Sequence, residues 1–133
     1  DLLPFTGCGA IAVFFEALSS AGADYIHTTE RYATEPTFGD DGPSLAEAAV
    51  EYVTDDTVVI ANGNLGTPEA ARQVLDDGAD LLTLGTSALA NPDWPSRVAA
   101  GEPLAQFDRA TLLEPKASIG DEGLSVGASP FEN

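Results

Sequence analysis

The sequence predicts an α/β fold in which parallel strands alternate with helices. Three observations predict it. Hydrophobic spacing switches repeatedly between a helical and a strand period, the helix-like segments carry start or stop residues, and a motif that ends a helix and launches a strand occurs twice, as AGAD at 21–24 and DGAD at 77–80. The two copies lie two βα units apart. Strands alternating with helices pair in parallel through right-handed crossovers, which sets the loops after the strands at one end of the sheet, where such sheets bind ligands.

Each element follows in order. Residues 10–20, AIAVFFEALSS, place Ile11, Phe14, Phe15 and Leu18 at three- and four-residue steps and are expected to form a buried helix, with Gly22 just beyond it. DYIHTT at 24–29 is short, aromatic and β-branched, as a buried strand should be. Residues 31–43, RYATEPTFGDDGP, form a loop of the length that often carries function. Ser44 caps the next helix, with Glu47 at the capping-box position and Leu45, Ala48, Ala49 and Tyr52 as its buried stripe. A strand is expected at 57–61. Thr67 then caps a helix with Pro68 at its first position, Glu69 in its first turn and Gly78 at its stop. A third strand at 80–84, a short helix after Gly85, a turn at Asn91-Pro92-Asp93 and a helix at 95–100 complete the periodic part. Residues 1–9, DLLPFTGCG, fit no element, and 112–133 are expected to be a surface tail.

The length of 133 residues suits one domain. Against 22 acids stand only Arg31, Arg72, Arg97, Arg109 and Lys116, for a net charge of −17. A basic surface for nucleic acid or anionic lipid is thereby excluded. Acids spread along the whole chain with almost no lysine indicate a halophilic surface, screened by a saline cytoplasm. Cys8 is the single cysteine, so no intrachain disulfide forms and a reducing, cytoplasmic setting is expected. No apolar run approaches the roughly 20 residues of a membrane span, and no signal peptide pattern opens the chain.

Function is expected in the loops. ANGNLGTPE at 61–69 would read as a hairpin turn if a strand followed, but a capped helix follows. Gly63 and Gly66 allow close approach of the backbone to a ligand, and a helix N-terminus favours an anion such as phosphate. Leu84-Gly85-Thr86-Ser87 repeats the arrangement one βα unit later. Consecutive turns of this kind match the phosphate site after strands 7 and 8 of many (β/α)₈ barrels. His27 is expected to be packed and hydrogen-bonded in its strand, and Tyr25 and Tyr32 to serve packing. Glu30 and Glu35 are expected to be solvated, and Trp94 to pack the last helix. Asp40 and Asp41 lack the spacing of a metal loop, so no metal site is expected.

DYIHTTE (24–30), VVIANGNLGTPEAARQVLDDGADLLTLG (58–85), ALANPDWPSRVAAGEPL (88–104) and FDRATLLEP (107–115) resemble the Old Yellow Enzyme family of FMN-dependent NAD(P)H:flavin oxidoreductases and ene-reductases. The resemblance covers about 10–116 and falls in the carboxyl-terminal part of that barrel. It implies a partial (β/α)₈ TIM barrel, about its last three βα units, over 10–111. It also implies FMN as cofactor, NAD(P)H as reductant and a small-molecule alkene as substrate of the complete enzyme. Asn62, Gly63 and Asn64 after one strand, with Gly85 and Thr86 after the next, would line the FMN phosphate site through their backbone N–H groups. The family commonly carries an arginine after the second glycine, where this chain has Thr86, a neutral donor in place of a bidentate charged one.

The family's tyrosine proton donor and its substrate-holding His/His or His/Asn pair belong to earlier strands, so no catalytic residue is assigned and weak or no turnover is expected of the chain alone. A whole barrel needs eight strands and roughly 250 residues, which leaves a missing barrel half or a homo-oligomer as possible partners. Two other readings stand beside this one: a non-catalytic fragment that associates through exposed strand edges, and a different phosphate-binding barrel enzyme such as an isomerase.

Overall fold

A computed structural model of the chain describes residues 8–108 and Ala110, divided into two compact units between Leu84 and Gly85. Residues 1–7, Arg109, Lys116 and the expected tail at 112–133 lie outside the described residues. In the first unit the order is α1 (Cys8–Ser20), β1 (Tyr25–Thr29), α2 (Leu45–Tyr52), β2 (Val58–Asn62), α3 (Pro68–Asp76) and β3 (Leu81–Leu82). The second unit holds α4 (Thr86–Ala90) and α5 (Trp94–Ala100).

The three strands form one parallel sheet in the order β1-β2-β3. Register runs from Tyr25 opposite Val58 to Thr29 opposite Asn62, and Ile60 and Ala61 face Leu81 and Leu82. β2 begins and ends one residue later than expected, so Asn62 closes the strand rather than opening the turn. β3 is shorter than the expected 80–84. Backbone bonds flank the two paired residues, with Asp80 N–H donating to Val59 O before them and Thr83 N–H to Ala61 O after them.

Both copies of the helix-stopping motif adopt one geometry. Gly22 and Gly78 have φ of 89° and 108°, and the following N–H groups of Ala23 and Ala79 reach back to Leu18 O and Val74 O. That is the Schellman arrangement, which needs a residue at ease with positive φ. The expected capping box of α2 is present: Ser44 Oγ accepts from Glu47 N–H, and Glu47 Oε2 accepts from Ser44 N–H. Thr67 caps α3 by accepting from Ala70 N–H at 3.2 Å.

The core lies between one face of the sheet and the helices. Ile26, Val59 and Ala61 pack with Phe15, Ala46, Ala48, Ala49 and Val74, and the alanines let α2 approach the strands closely. Alternation along a strand sends the next residues to the opposite face. There Tyr25 is 61% and Leu81 54% exposed, so Tyr25 does not serve the packing expected of it. α1 also departs from expectation. It rests on α2 and buries Phe15, whereas Phe14 at 56% and Leu18 at 37% stay exposed because no described element covers that side.

At the amino-terminal ends of the strands a hydroxyl cluster ties α1 to the turn before β2. Ser19 Oγ lies 2.7 Å from Thr57 Oγ1 and 2.8 Å from Thr54 Oγ1 and accepts from Thr54 N–H, while Thr57 donates to Ala23 O. In the second unit, buried Asn91 donates to Ser87 O and Ala105 O and accepts from Ala105 N–H, which staples the segment after α5 to the end of α4. Trp94 is buried at the start of α5. Asp93 and Arg97 form an exposed i,i+4 ion pair at 2.7 Å.

Replacing Ser19 with alanine removes a buried member of a satisfied network. It is expected to cost about 1–3 kcal/mol, read from the midpoint of denaturant unfolding. The hydrogen bond from Arg97 holds the Asp93 carboxyl below its usual range and raises the Arg97 guanidinium. A lowered carboxyl stabilises the fold above its unfolded-state value, near 3.9, and that contribution fades as pH falls through the folded value. Carboxyl-carbon NMR titration should place Asp93 below the ordinary aspartate range, and Arg97→Gln should return it there.

Candidate functional site

β2 runs from a buried centre to a tight turn. Gly63 has φ of 149° and Asn64 has φ of 52°, consecutive positive values that reverse the backbone before Thr67 starts α3. Leu65 anchors the turn in the core. The backbone after β1 packs directly on it: Glu30 N–H donates to Asn62 O at 3.1 Å and Ala33 N–H to Gly63 O at 3.0 Å. A Cβ at position 63 would stand 2.5 Å from Glu30 O and 2.9 Å from Ala33 N. Glycine is therefore required there by close approach as well as by φ.

Side chains extend this contact across the strand ends. Asn62 Nδ2 donates to Thr83 O at 3.1 Å and to Thr83 Oγ1 at 2.9 Å. Thr83 Oγ1 lies 3.0 Å from His27 Nε2, and because it accepts from Asn62 its own hydrogen is free to go to that nitrogen. A polar line thus joins β1, β2 and the end of β3 on the face away from the helices. His27 is hydrogen-bonded as expected, but it is exposed on that face rather than packed in the core.

Glu30 is not simply solvated. Its carboxylate accepts from the Thr37 hydroxyl and from Leu45 N–H, the first amide of α2, so it ties the middle of the 31–43 loop to the start of the helix. Inside the loop, Thr37 N–H donates to Pro43 O and Gly42 N–H to Gly39 O. Arg31 stacks over the Tyr32 ring, 5.4 Å from its centroid.

Of the expected site residues, Asn62, Gly63 and Asn64 come together in the first unit at the carboxyl end of its central strand. Gly85 and Thr86 open the second unit, where Gly85 O accepts from Ala88 and Leu89 N–H at the start of α4. Among the described residues other than its two chain neighbours, none places a heavy atom within 4 Å of where a Cβ at Gly85 would stand. Thr83 escaped the sequence reading, and Glu30 was expected only to be solvated. Their partners stand 21 residues (Asn62), 56 (His27) and 15 (Leu45) away, separations no local pattern encodes.

The first unit, continued by α4, has the chain order of three βα units of a (β/α)₈ barrel, in an α/β class with parallel strands. No family model matches the chain. An NADH:fumarate oxidoreductase of Klebsiella pneumoniae is 33% identical over 104 residues, 74% of this chain and 11% of that protein. A probable flavin mononucleotide-dependent alkene reductase of Leishmania infantum is 51% identical over 44 residues, 33% of this chain and 12% of that protein. A putative N-acetylmannosamine-6-phosphate 2-epimerase of Cutibacterium acnes is 36% identical over 89 residues, 65% of this chain and 38% of that protein. Among solved structures, an old yellow enzyme homologue from Zymomonas mobilis superposes with a TM-score of 0.61 at 25% identity, over 84% of this chain and 30% of that one.

The chain belongs to the Old Yellow Enzyme family and corresponds to part of its barrel. It spans between 11% and 38% of the length of these relatives. Among the described residues no helix is long and apolar enough to cross a membrane.

Gly63→Ala is expected to cost about 3 kcal/mol or more, since it combines backbone strain with contacts no flexible side chain can relieve. Glu30→Ala is expected to cost about 1–3 kcal/mol, with Glu30→Gln milder because an amide oxygen still accepts one bond. Unfolding midpoints check both, and hydrogen exchange should show faster exchange of Leu45 N–H in Glu30→Ala.

Proposed function

We propose that this chain is the FMN-binding segment of an NAD(P)H-dependent ene-reductase. Backbone N–H groups of Gly63 and Asn64 hold the FMN phosphate just beyond Asn62, whose own N–H is engaged in the β1–β2 ladder, and Gly85 and Thr86 are the second set of donors. The observation that carries the reading is the Gly63-Asn64 turn, fixed at the carboxyl end of the central strand by the backbone of residues 30–33. Successive amides in such a turn form an anion-binding concavity. The donor chemistry suits a phosphate monoester, and the Asn62 amide is committed to Thr83, which leaves the main chain as donor. The flavin and alkene-reductase names of the relatives support the choice of ligand.

When bound, FMN supplies hydride chemistry that NAD(P)H replenishes in the complete enzyme. This chain's residues bind and orient; the proton donor and the groups that hold the alkene are not assigned to them. The acidic composition and the single cysteine favour a saline cytoplasm as its setting.

The epimerase match favours a second reading, a sugar phosphate in place of FMN at the same turn. A third, a non-catalytic fragment that associates along its edges, has support in the edge of β1, which no strand among the described residues covers, and in the exposure of Phe14, Leu18 and Tyr25.

Purified protein should take up FMN with the visible absorption of a bound flavin, and riboflavin, which lacks the phosphate, should bind at least about tenfold more weakly, as loss of charge-assisted hydrogen bonds implies. Without a proton donor it should show little alkene reduction. A colourless protein that ignores added FMN would sink the reading. Preference for a hexosamine phosphate would favour the second, and a colourless oligomer the third.

A further inference from the structure

We propose that Arg31 is the cationic partner of a phosphate bound at the Asn62–Asn64 turn. The inference rests on the phosphate reading above and adds the charge that reading lacks. A phosphate monoester carries up to two negative charges at neutral pH, and the chain itself carries −17. Backbone amides supply only partial charges, so a site in this acidic surface calls for a full positive charge at contact distance.

Among the described residues the basic side chains are Arg31, Arg72 and Arg97. Arg97 is paired with Asp93 and Glu102. Arg72 lies within α3 between Glu69 one turn before and Asp76 one turn after, away from the turn that precedes the helix. Arg31 alone stands at the carboxyl end of a strand, and among the described residues it makes no ion pair.

Its backbone is held against the turn on both sides. Glu30 N–H bonds to Asn62 O and Ala33 N–H to Gly63 O, so Arg31 lies between two hydrogen bonds to the turn proposed to cradle the anion. An arginine side chain extends several ångströms, enough to reach over such a contact. The Arg31 guanidinium carbon lies 5.4 Å from the Tyr32 ring centroid, and with no carboxylate paired to it among the described residues its N–H groups remain for a bidentate interaction with phosphate oxygens. Glu35, Asp40 and Asp41 on the same loop oppose an anion at long range, but that repulsion is screened at high salt, where the Debye length is about 3 Å at 1 M, while a contact pair is screened far less.

The test is fluorescence titration of the full chain with FMN and with riboflavin at about 1 M salt, comparing wild type, Arg31→Gln and Arg31→Lys, with melting curves to confirm equal folding. Loss of one charge-assisted contact should weaken FMN binding about tenfold or more in Arg31→Gln, leave riboflavin unchanged and be partly restored in Arg31→Lys. If wild type prefers FMN and Arg31→Gln binds it equally well, the arginine is overturned and the phosphate reading stands. Wild type that does not discriminate FMN from riboflavin, or binds neither, overturns both together.

Discussion

The β2–α3 turn exists only because residue 63 has no side chain. Its backbone comes so close to Glu30 and Ala33 that any Cβ would collide with main-chain atoms on the neighbouring loop. Two loops that are far apart in sequence are locked into one surface by that approach. From it follow the position of Arg31, the carboxylate of Glu30 that holds the long loop and the first amide of α2, and the line from Asn62 through Thr83 to His27. The same contact ties a structural requirement to a functional one, because the proposed anion cradle is the segment that cannot move.

The two ends of the sheet divide their labour. At the amino-terminal ends, Ser19, Thr54 and Thr57 form a closed hydroxyl cluster that joins α1 to the strands. At the carboxyl ends, polar groups face outward from glycine-bearing turns. Parallel sheets impose this polarity, since every strand finishes at the same end and every following helix begins there. The faces divide as well. α2 and α3 cover the side with Ile26, Val59 and Ala61, and the opposite side shows Tyr25, His27 and Leu81. In a closed barrel such a face turns inward, which explains why strands read from sequence as buried carry exposed aromatic and aliphatic residues in this chain.

Much of the fold was legible in local chemistry. The capping box at Ser44 and Glu47, Thr67 followed by Pro68, and the paired stops at Gly22 and Gly78 mark element boundaries through hydrogen bonds spanning three to five residues. The turn glycines marked the candidate site for the same reason, because conformational freedom is a property of one residue. Glu30 was misread as solvated, and Phe14 and Leu18 as buried, because exposure depends on which elements are present to cover a side chain.

By itself, therefore, the sequence determined the βα alternation, the parallel sheet, the position of the glycine-bearing turns and the acidity of the surface, all set by short-range geometry or composition. Only the tertiary structure decided that β2 extends to Asn62, that Thr83 bridges Asn62 and His27, and that Glu30 and Arg31 stand beside Gly63. Those relations join residues between 21 and 56 positions apart, and such distances close only when the strands have paired.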